Sequence, residues 1–117
     1  MFLNPAMFLN RPKVQNVSLA ELKAGLADGS IALVDVRERN EYDAGHIVGA
    51  VLNALSVFAP DALPAPVPGQ RIVLHCRSGK RSVTALGLAQ QAGRADITAH
   101  FGGGMLEWQA AGEKVEA

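Results

Sequence analysis

The stretch IVLHCRSGKRS, residues 72–82, decides the fold because a strand, a loop and a helix start meet in it. Ile72 to His75 is a short apolar run, typical of a buried strand. The only cysteine of the chain, Cys76, follows directly, and one glycine and three cationic residues come after it. N–H groups between a strand end and a helix start favour an anion, and such surroundings lower a thiol pKa. The stretch therefore predicts a thiolate nucleophile in an anion-binding loop.

Working outward, strand-like and helix-like segments alternate from Ser18 onward. Ser18 and Glu21 have the spacing of a capping box, and Asp28-Gly29 is expected to end that helix. Strands are predicted at 14–17, 31–36, 50–53, 72–75 and 97–101, and further helices at 38–44, 82–92 and 105–111. We expect Ser82 to cap the helix that follows the loop. The alternation predicts an α/β three-layer sandwich, a largely parallel sheet with helices on both faces.

Size and charge narrow the possible functions. The 117 residues fit one domain, predicted at 14–117, preceded by an N-terminal extension at 1–13. The formal net charge is zero, which argues against nucleic-acid or membrane-surface partners. A lone cysteine forms no internal disulfide, and a reactive thiol lasts best in a reducing compartment. We therefore expect a cytoplasmic protein.

The loop after Cys76 predicts the site residues. Backbone N–H groups that curl around the thiol form a nest for an anion, and glycine permits the backbone angles this requires. Cys76 is the expected nucleophile of a small, strongly charged oxyanion substrate. The expected substrate-binding residues are Arg77, Ser78, Gly79, Lys80, Arg81 and Ser82. Which of the three cations faces the substrate stays open, and Arg81 equally suits a structural ion pair.

Four segments resemble the single-domain rhodanese (thiosulfate sulfurtransferase) family, over roughly residues 14–112. They are Leu33 to Arg37 with Glu41-Tyr42, Gly45 to Ala50, Cys76 to Ser82, and Phe101 to Gly104 with Trp108. The resemblance implies a rhodanese-like fold and transfer of the outer sulfur of thiosulfate to Cys76 as a persulfide. It implies cyanide or a thiol as acceptor, thioredoxin and glutathione included, and neither a metal nor an organic cofactor.

Two other functions fit the same loop. Phosphatases of related architecture use Cys-x5-Arg, whereas Arg81 stands at Cys-x4-Arg, and the shorter loop suits sulfur transfer better. A phosphatase or arsenate reductase is one alternative. A module that relays sulfur from protein to protein is the other. Neither the physiological donor nor the acceptor, nor the oligomeric state, follows from the sequence.

Several polar residues outside the loop complete the expectations. Asp35 interrupts an apolar strand, so it needs a partner, for which Arg37 or a loop N–H group is suited. Asp35 and Arg37 are expected behind the site, as a structural brace or as residues that tune it. An exposed Arg37–Glu41 pair is also compatible with the spacing. An approach of His100 to the site from the end of the next strand is open but is not what the sequence favours.

Overall fold

The computed structural model describes residues 11–117, so residues 1–10 of the predicted extension lie outside the described part of the chain. The strands are β1 (Gln15–Asn16), β2 (Ile31–Asp35), β3 (His46–Ile47), β4 (Val51–Leu52), β5 (Arg71–His75), β6 (Ala99–Phe101) and β7 (Val115–Glu116). The α-helices are α1 (Leu19–Asp28), α2 (Arg39–Ala44), α3 (Lys80–Gln91) and α4 (Gly104–Ala110). Two single 3₁₀ turns, Leu55–Val57 and Pro60–Ala62, lie in the proline-rich connection before β5.

Five of the strands form one parallel sheet in the order β1-β6-β5-β2-β4. The register places His75, the last residue of β5, between Asp35 of β2 and Phe101 of β6. The carboxyl ends of the three central strands therefore meet at one edge, where sites form in parallel sheets. β3 and β7 pair separately as a small antiparallel ribbon.

Helices cover both faces of the sheet, which confirms the predicted three-layer α/β sandwich. On one face Leu22 of α1 and Met105 and Trp108 of α4 pack over buried strand residues such as Phe101. On the other face α3 packs over Val34 and Leu74 through a stripe of small and apolar residues, Ala85, Leu86 and Ala89. None of the helices described between residues 11 and 117 has the length and hydropathy that a membrane span requires.

The helix after the loop begins earlier than the sequence predicts. Its first residue is Lys80, and its N-cap is Gly79 with a φ of +100°. The prediction that Ser82 caps this helix is therefore wrong, since Ser82 lies inside the first turn. A left-handed glycine lets the chain turn directly from the loop into the helix. The capping box at Ser18 and Glu21 is confirmed.

Candidate active site

The Cys76 thiol lies at the floor of a cup formed by residues 76–82. Cys76 follows β5 directly, is only 1% exposed, and faces the first turn of α3. Its Sγ accepts hydrogen bonds from the Gly79 N–H at 3.1 Å and from the Ser82 N–H at 3.4 Å. The Ser82 Oγ lies 3.6 Å from the same sulfur. Backbone dipoles thus converge on one sulfur atom, as the sequence predicted for an anion nest.

The pKa of the Cys76 thiol reflects two opposing effects. Burial is the largest single effect and raises the pKa, because it removes water from the thiolate. Hydrogen bonds from Ser82, Ser78 and Gly79 together outweigh burial, so the pKa lies below its ordinary value. The loop therefore favours the nucleophilic form of sulfur without a charged side chain in contact with it.

The start of α4 fixes the peptide groups behind the thiol. The N–H groups of Met105 and Leu106 donate to the carbonyls of Cys76 and Arg77, at 3.0 and 3.1 Å. Gly104 has a φ of +60°, and a Cβ there would lie 2.4 to 2.5 Å from those same carbonyl oxygens. Only glycine allows this approach. Because the N–H groups at the start of α4 bind the carbonyls of Cys76 and Arg77, the loop presents its own N–H groups to the sulfur.

The three cationic side chains of the loop have different surroundings. Arg81 makes a bidentate pair with Glu41, at 2.6 and 3.0 Å. The hydrogen bond from Arg81 is the main reason that the pKa of Glu41 falls from 4.5 to about 2. Arg77 and Lys80 are exposed and make no salt bridge with any residue in the described range 11–117. Two cations are thus free to meet an anion at the mouth of the cup.

Asp35 and Arg37 form a buried pair behind the site. Asp35 accepts from Arg37 Nε and Nη2, at 3.1 and 2.8 Å, and from the Arg37 backbone N–H at 2.9 Å. Arg37 Nη2 also donates to the Gly45 carbonyl at 2.8 Å. Of the partners that the sequence suggested, the structure uses Arg37, through both its guanidinium and its own backbone N–H. The Arg37–Glu41 surface pair is wrong, because Arg37 turns inward to Asp35 and Glu41 bonds Arg81 across 40 residues.

Two histidines flank Cys76 on neighbouring strands. His75 is fully buried, its Nδ1 donates to the Cys76 carbonyl at 3.1 Å, and burial lowers its pKa. His100 reaches the loop, which the sequence did not favour, with Nδ1 2.7 Å from Ser82 Oγ. His75 thus holds the backbone of Cys76, whereas His100 contacts a side chain that contacts the thiol.

A cleft of about 230 Å³ includes one residue of the loop, Arg77. Arg37, Glu41, Arg77, Met105 and Gln109 line it, together with Ala44, Gly45 and Val115. A larger cavity of about 540 Å³, lined by Trp108 among others, includes no residue of the loop. In residues 11–117 no group of three or more His, Cys, Asp or Glu side chains is placed to hold a metal ion.

The sequence missed two residues that shape the site. Gly104 touches the backbone of Cys76, and the run of three glycines at 102–104 was the available indication of a close approach. Glu41 fixes Arg81, and nothing local marks a partner so distant in the chain. The predicted loop residues themselves lie together around Cys76.

Known proteins resemble this chain over most of its length. The family model for the rhodanese-like domain matches residues 18–111. The probable adenylyltransferase/sulfurtransferase MoeZ of Mycobacterium tuberculosis is 37% identical over 98 residues, which are 82% of this chain and 25% of that protein. The thiosulfate:glutathione sulfurtransferase of Homo sapiens is 33% identical over 79% of this chain and 90% of its own length.

Solved structures agree with the sequence matches. The human single-domain sulfurtransferase TSTD1 superimposes with a TM-score of 0.68 at 31% identity, covering 81% of this chain and 95% of that one. The first curated relatives, by contrast, are longer proteins, of which the chain spans between a quarter and a half. The similarity therefore concerns one domain, which in those relatives is joined to other segments.

Proposed function

The chain belongs to the rhodanese-like domain family, and on that premise we propose that it is a sulfurtransferase carrying sulfane sulfur as a persulfide on Cys76. The Cys76 thiolate attacks the outer sulfur of thiosulfate. A new S–S bond forms, the bond to the sulfonate sulfur breaks, and its electron pair leaves with sulfite. An acceptor nucleophile then attacks the outer persulfide sulfur, and the electron pair of that S–S bond returns to Cys76.

The observation that carries this proposal is the convergence of N–H groups on the sulfur. The Gly79 and Ser82 amides lie 3.1 and 3.4 Å from Sγ, in a loop whose carbonyls are held on the opposite side. Such donors stabilise negative charge on sulfur before attack and again when the persulfide is discharged. Both half-reactions need the same electrostatic surroundings, and the loop supplies them without a general base.

The exposed cationic residues of the loop, Arg77 and Lys80, favour an oxyanion as sulfur donor, such as thiosulfate. Arg77 and Lys80 are the exposed cations beside Cys76, in a chain whose total charge is zero. The other loop cation, Arg81, is bound by Glu41. A phosphatase loop uses its arginine to hold phosphate, whereas here that guanidinium has a carboxylate partner already. Sulfur transfer therefore requires less rearrangement than phosphate ester hydrolysis.

For the acceptor we propose a small thiol or cyanide. The name of the human relative pairs thiosulfate with glutathione, which makes glutathione the first physiological thiol to test. Thioredoxin and a dedicated acceptor protein are the larger alternatives. A single thiol poised as a thiolate is kept reduced most readily in the cytoplasm, which is the location we propose.

The proposal is tested by a panel of donors and acceptors with wild type and Cys76→Ser in parallel. We expect thiocyanate from thiosulfate and cyanide, and its loss in the variant. Arg77→Ala and Lys80→Ala should raise the KM for thiosulfate by about 3- to 10-fold, since each removes an attractive charge. Arg39→Ala, which removes an exposed arginine on α2, is the matched control and should leave KM unchanged.

Two results would favour one of the alternative functions over sulfur transfer to a small acceptor. Hydrolysis of an aryl phosphate or reduction of arsenate that depends on Cys76, without thiocyanate production, would establish the phosphatase or arsenate reductase alternative. A persulfide that forms but transfers its sulfur only to another protein, and not to cyanide or glutathione, would establish a relay module.

A further inference from the structure

A buried chain of three side chains leads from the thiol to the next strand of the sheet. Cys76 Sγ lies 3.6 Å from Ser82 Oγ, and Ser82 Oγ lies 2.7 Å from His100 Nδ1. Ser82 is 0% exposed and His100 is 7% exposed. Nothing in the thiolate chemistry described above uses His100, although its contact with Ser82 is short.

The contact between His100 and Ser82 matters because the single hydroxyl hydrogen of Ser82 can be donated to only one neighbour at a time. The hydroxyl has one hydrogen and three polar neighbours: His100 Nδ1, the Gly79 carbonyl at 3.1 Å, and Sγ. If His100 Nδ1 accepted that hydrogen, neither the sulfur nor the carbonyl would receive it. If Nδ1 carries a hydrogen and donates it to Oγ, the Ser82 hydrogen is left for the Gly79 carbonyl or the sulfur, and a negative charge on sulfur draws it to Sγ.

Burial of His100 affects whether its ring is charged or neutral. Loss of water lowers the pKa of His100, which favours the neutral ring with a single N–H. With the hydrogen on Nδ1, the ring donates to Ser82 and the Ser82 hydroxyl donates to sulfur. A negative charge on Sγ favours this arrangement, because it aligns both dipoles toward the charge.

Other charged groups around the thiol do not replace this contact. Arg77 and Lys80 point from the loop and α3 to solvent, and Glu41 of α2 binds Arg81. On β2 the Asp35 carboxylate is held by Arg37 and lies 3.5 Å from His75 Nε2, while the other ring nitrogen of His75 on β5 donates to the Cys76 carbonyl. On β1 Asn16 accepts from the Gly102 N–H beside the His100 ring. Apart from Cys76 itself, His100 is the titratable side chain within hydrogen-bond distance of Ser82 in residues 11–117.

We propose that His100 is a positioning residue, which donates from Nδ1 to Ser82 and thereby turns the Ser82 hydroxyl toward the Cys76 sulfur. The inference rests on the proposed function, because it assigns a role in preparing the same nucleophile. His100 touches neither the sulfur nor the substrate, and its effect passes entirely through Ser82.

The ionisation of Cys76 provides the test, since this is the only cysteine in the chain. The rate of alkylation by iodoacetamide, measured against pH, gives the thiol pKa without any sulfur donor. His100→Phe removes the Nδ1 donor and should raise that pKa by about 1 unit, and Ser82→Ala should raise it comparably. The double variant Ser82→Ala/His100→Phe should show no more than the Ser82→Ala shift, because the pathway is already broken.

A second pair of variants keeps the test decisive if His100→Phe does not fold. The amide nitrogen of His100→Asn takes the place of Nδ1, whereas that of His100→Gln takes the place of Nε2. We expect His100→Asn to keep the wild-type alkylation midpoint and His100→Gln to raise it. Equal midpoints for Asn and Gln, or additive shifts in the double variant, would overturn the proposal. Because alkylation needs no thiosulfate, failure of this coupling is separate from failure of the sulfur-transfer assignment.

Discussion

Two loops leave neighbouring parallel strands at the same edge of the sheet, and they treat buried charge differently. After β2, Asp35 and Arg37 bring a full negative and a full positive charge together at 2.8 Å. After β5, Cys76 has no ion-pair partner among residues 11–117, and its sulfur meets the N–H groups of Gly79 and Ser82. The register places the two loops side by side, because Asp35 is paired with His75.

The difference reflects whether the charge is permanent or changes during a reaction. The buried Asp35–Arg37 ion pair takes no part in the proposed reaction, so each side chain requires its partner throughout. A cysteine that cycles between thiolate and persulfide is better served by fixed backbone dipoles, which need no reorganisation when its charge changes. Removal of the β2 pair should therefore affect stability first, whereas removal of the β5 thiol should affect activity first.

The largest expected effect is on activity, in Cys76→Ser. Sulfur transfer from thiosulfate to cyanide should fall by roughly 10³-fold or more, because no other residue can hold the sulfane sulfur. The free energy of unfolding should change by less than about 1.5 kcal/mol, since the loop loses only dipolar contacts. Thiocyanate production and urea unfolding measure the two quantities. Substantial residual sulfur transfer in Cys76→Ser would show that the loop after β5 does not hold the reacting group.

The next effect is on stability, in Arg37→Ala. The variant leaves the Asp35 carboxylate buried and unpaired, which should cost about 3–5 kcal/mol. Arg39→Ala is the matched control: its pair with Asp43 spans 3.5 Å at the surface, so its loss should cost no more than about 0.5 kcal/mol. Equal midpoints of chemical unfolding in the two variants would show that burial of the Asp35–Arg37 pair has no special consequence.

A smaller effect is expected where α4 supports the β5 loop. Gly104→Ala places a Cβ against the carbonyls of Cys76 and Arg77, so we expect a loss of about 2–3 kcal/mol together with slower sulfur transfer. Gly112→Ala is the control, since Gly112 also has a positive φ but nothing lies within 4 Å of a new Cβ. It should cost about 1 kcal/mol and leave activity intact. Similar kinetics for both variants would contradict the proposed backing of the loop.

The smallest effect concerns the ion pair at the rim. The pKa of Glu41 is depressed to about 2, so its pairing with Arg81 stabilises the fold above pH 4.5, and this stabilisation disappears as the pH falls through about 2. Glu41→Gln should therefore lower the free energy of unfolding by less than about 1 kcal/mol near pH 7. The difference from wild type should vanish in acid. Chemical unfolding across pH checks this, and a difference that grows on acidification would contradict it.

The elements that the sequence predicted correctly are those with local causes. The capping box at Ser18 and Glu21, the apolar strands and the nearby Asp35–Arg37 pair each depend on residues that are close in the chain. The start of α3 was misplaced because the left-handed backbone of Gly79 cannot be distinguished from a loop by composition. β3 and β7 escaped prediction because these two short strands pair only with each other, and they come from distant parts of the chain.

Contacts between distant segments explain the rest of the site. Glu41 meets Arg81 across 40 residues, and Gly104 reaches the carbonyl of Cys76 only after β6 has joined the sheet. No pattern within either segment specifies the other. The identity of the nucleophile was predictable from its loop, whereas the supports of that loop depend on how strands and helices assemble.

Intact-mass spectrometry after treatment with thiosulfate shows whether Cys76 carries sulfur. We expect the wild-type chain to gain the mass of one sulfur atom, cyanide to remove it, and Cys76→Ser to gain nothing. A wild-type chain that stays at its original mass, or a Cys76→Ser chain that gains the same sulfur, would exclude Cys76 as the sulfur carrier.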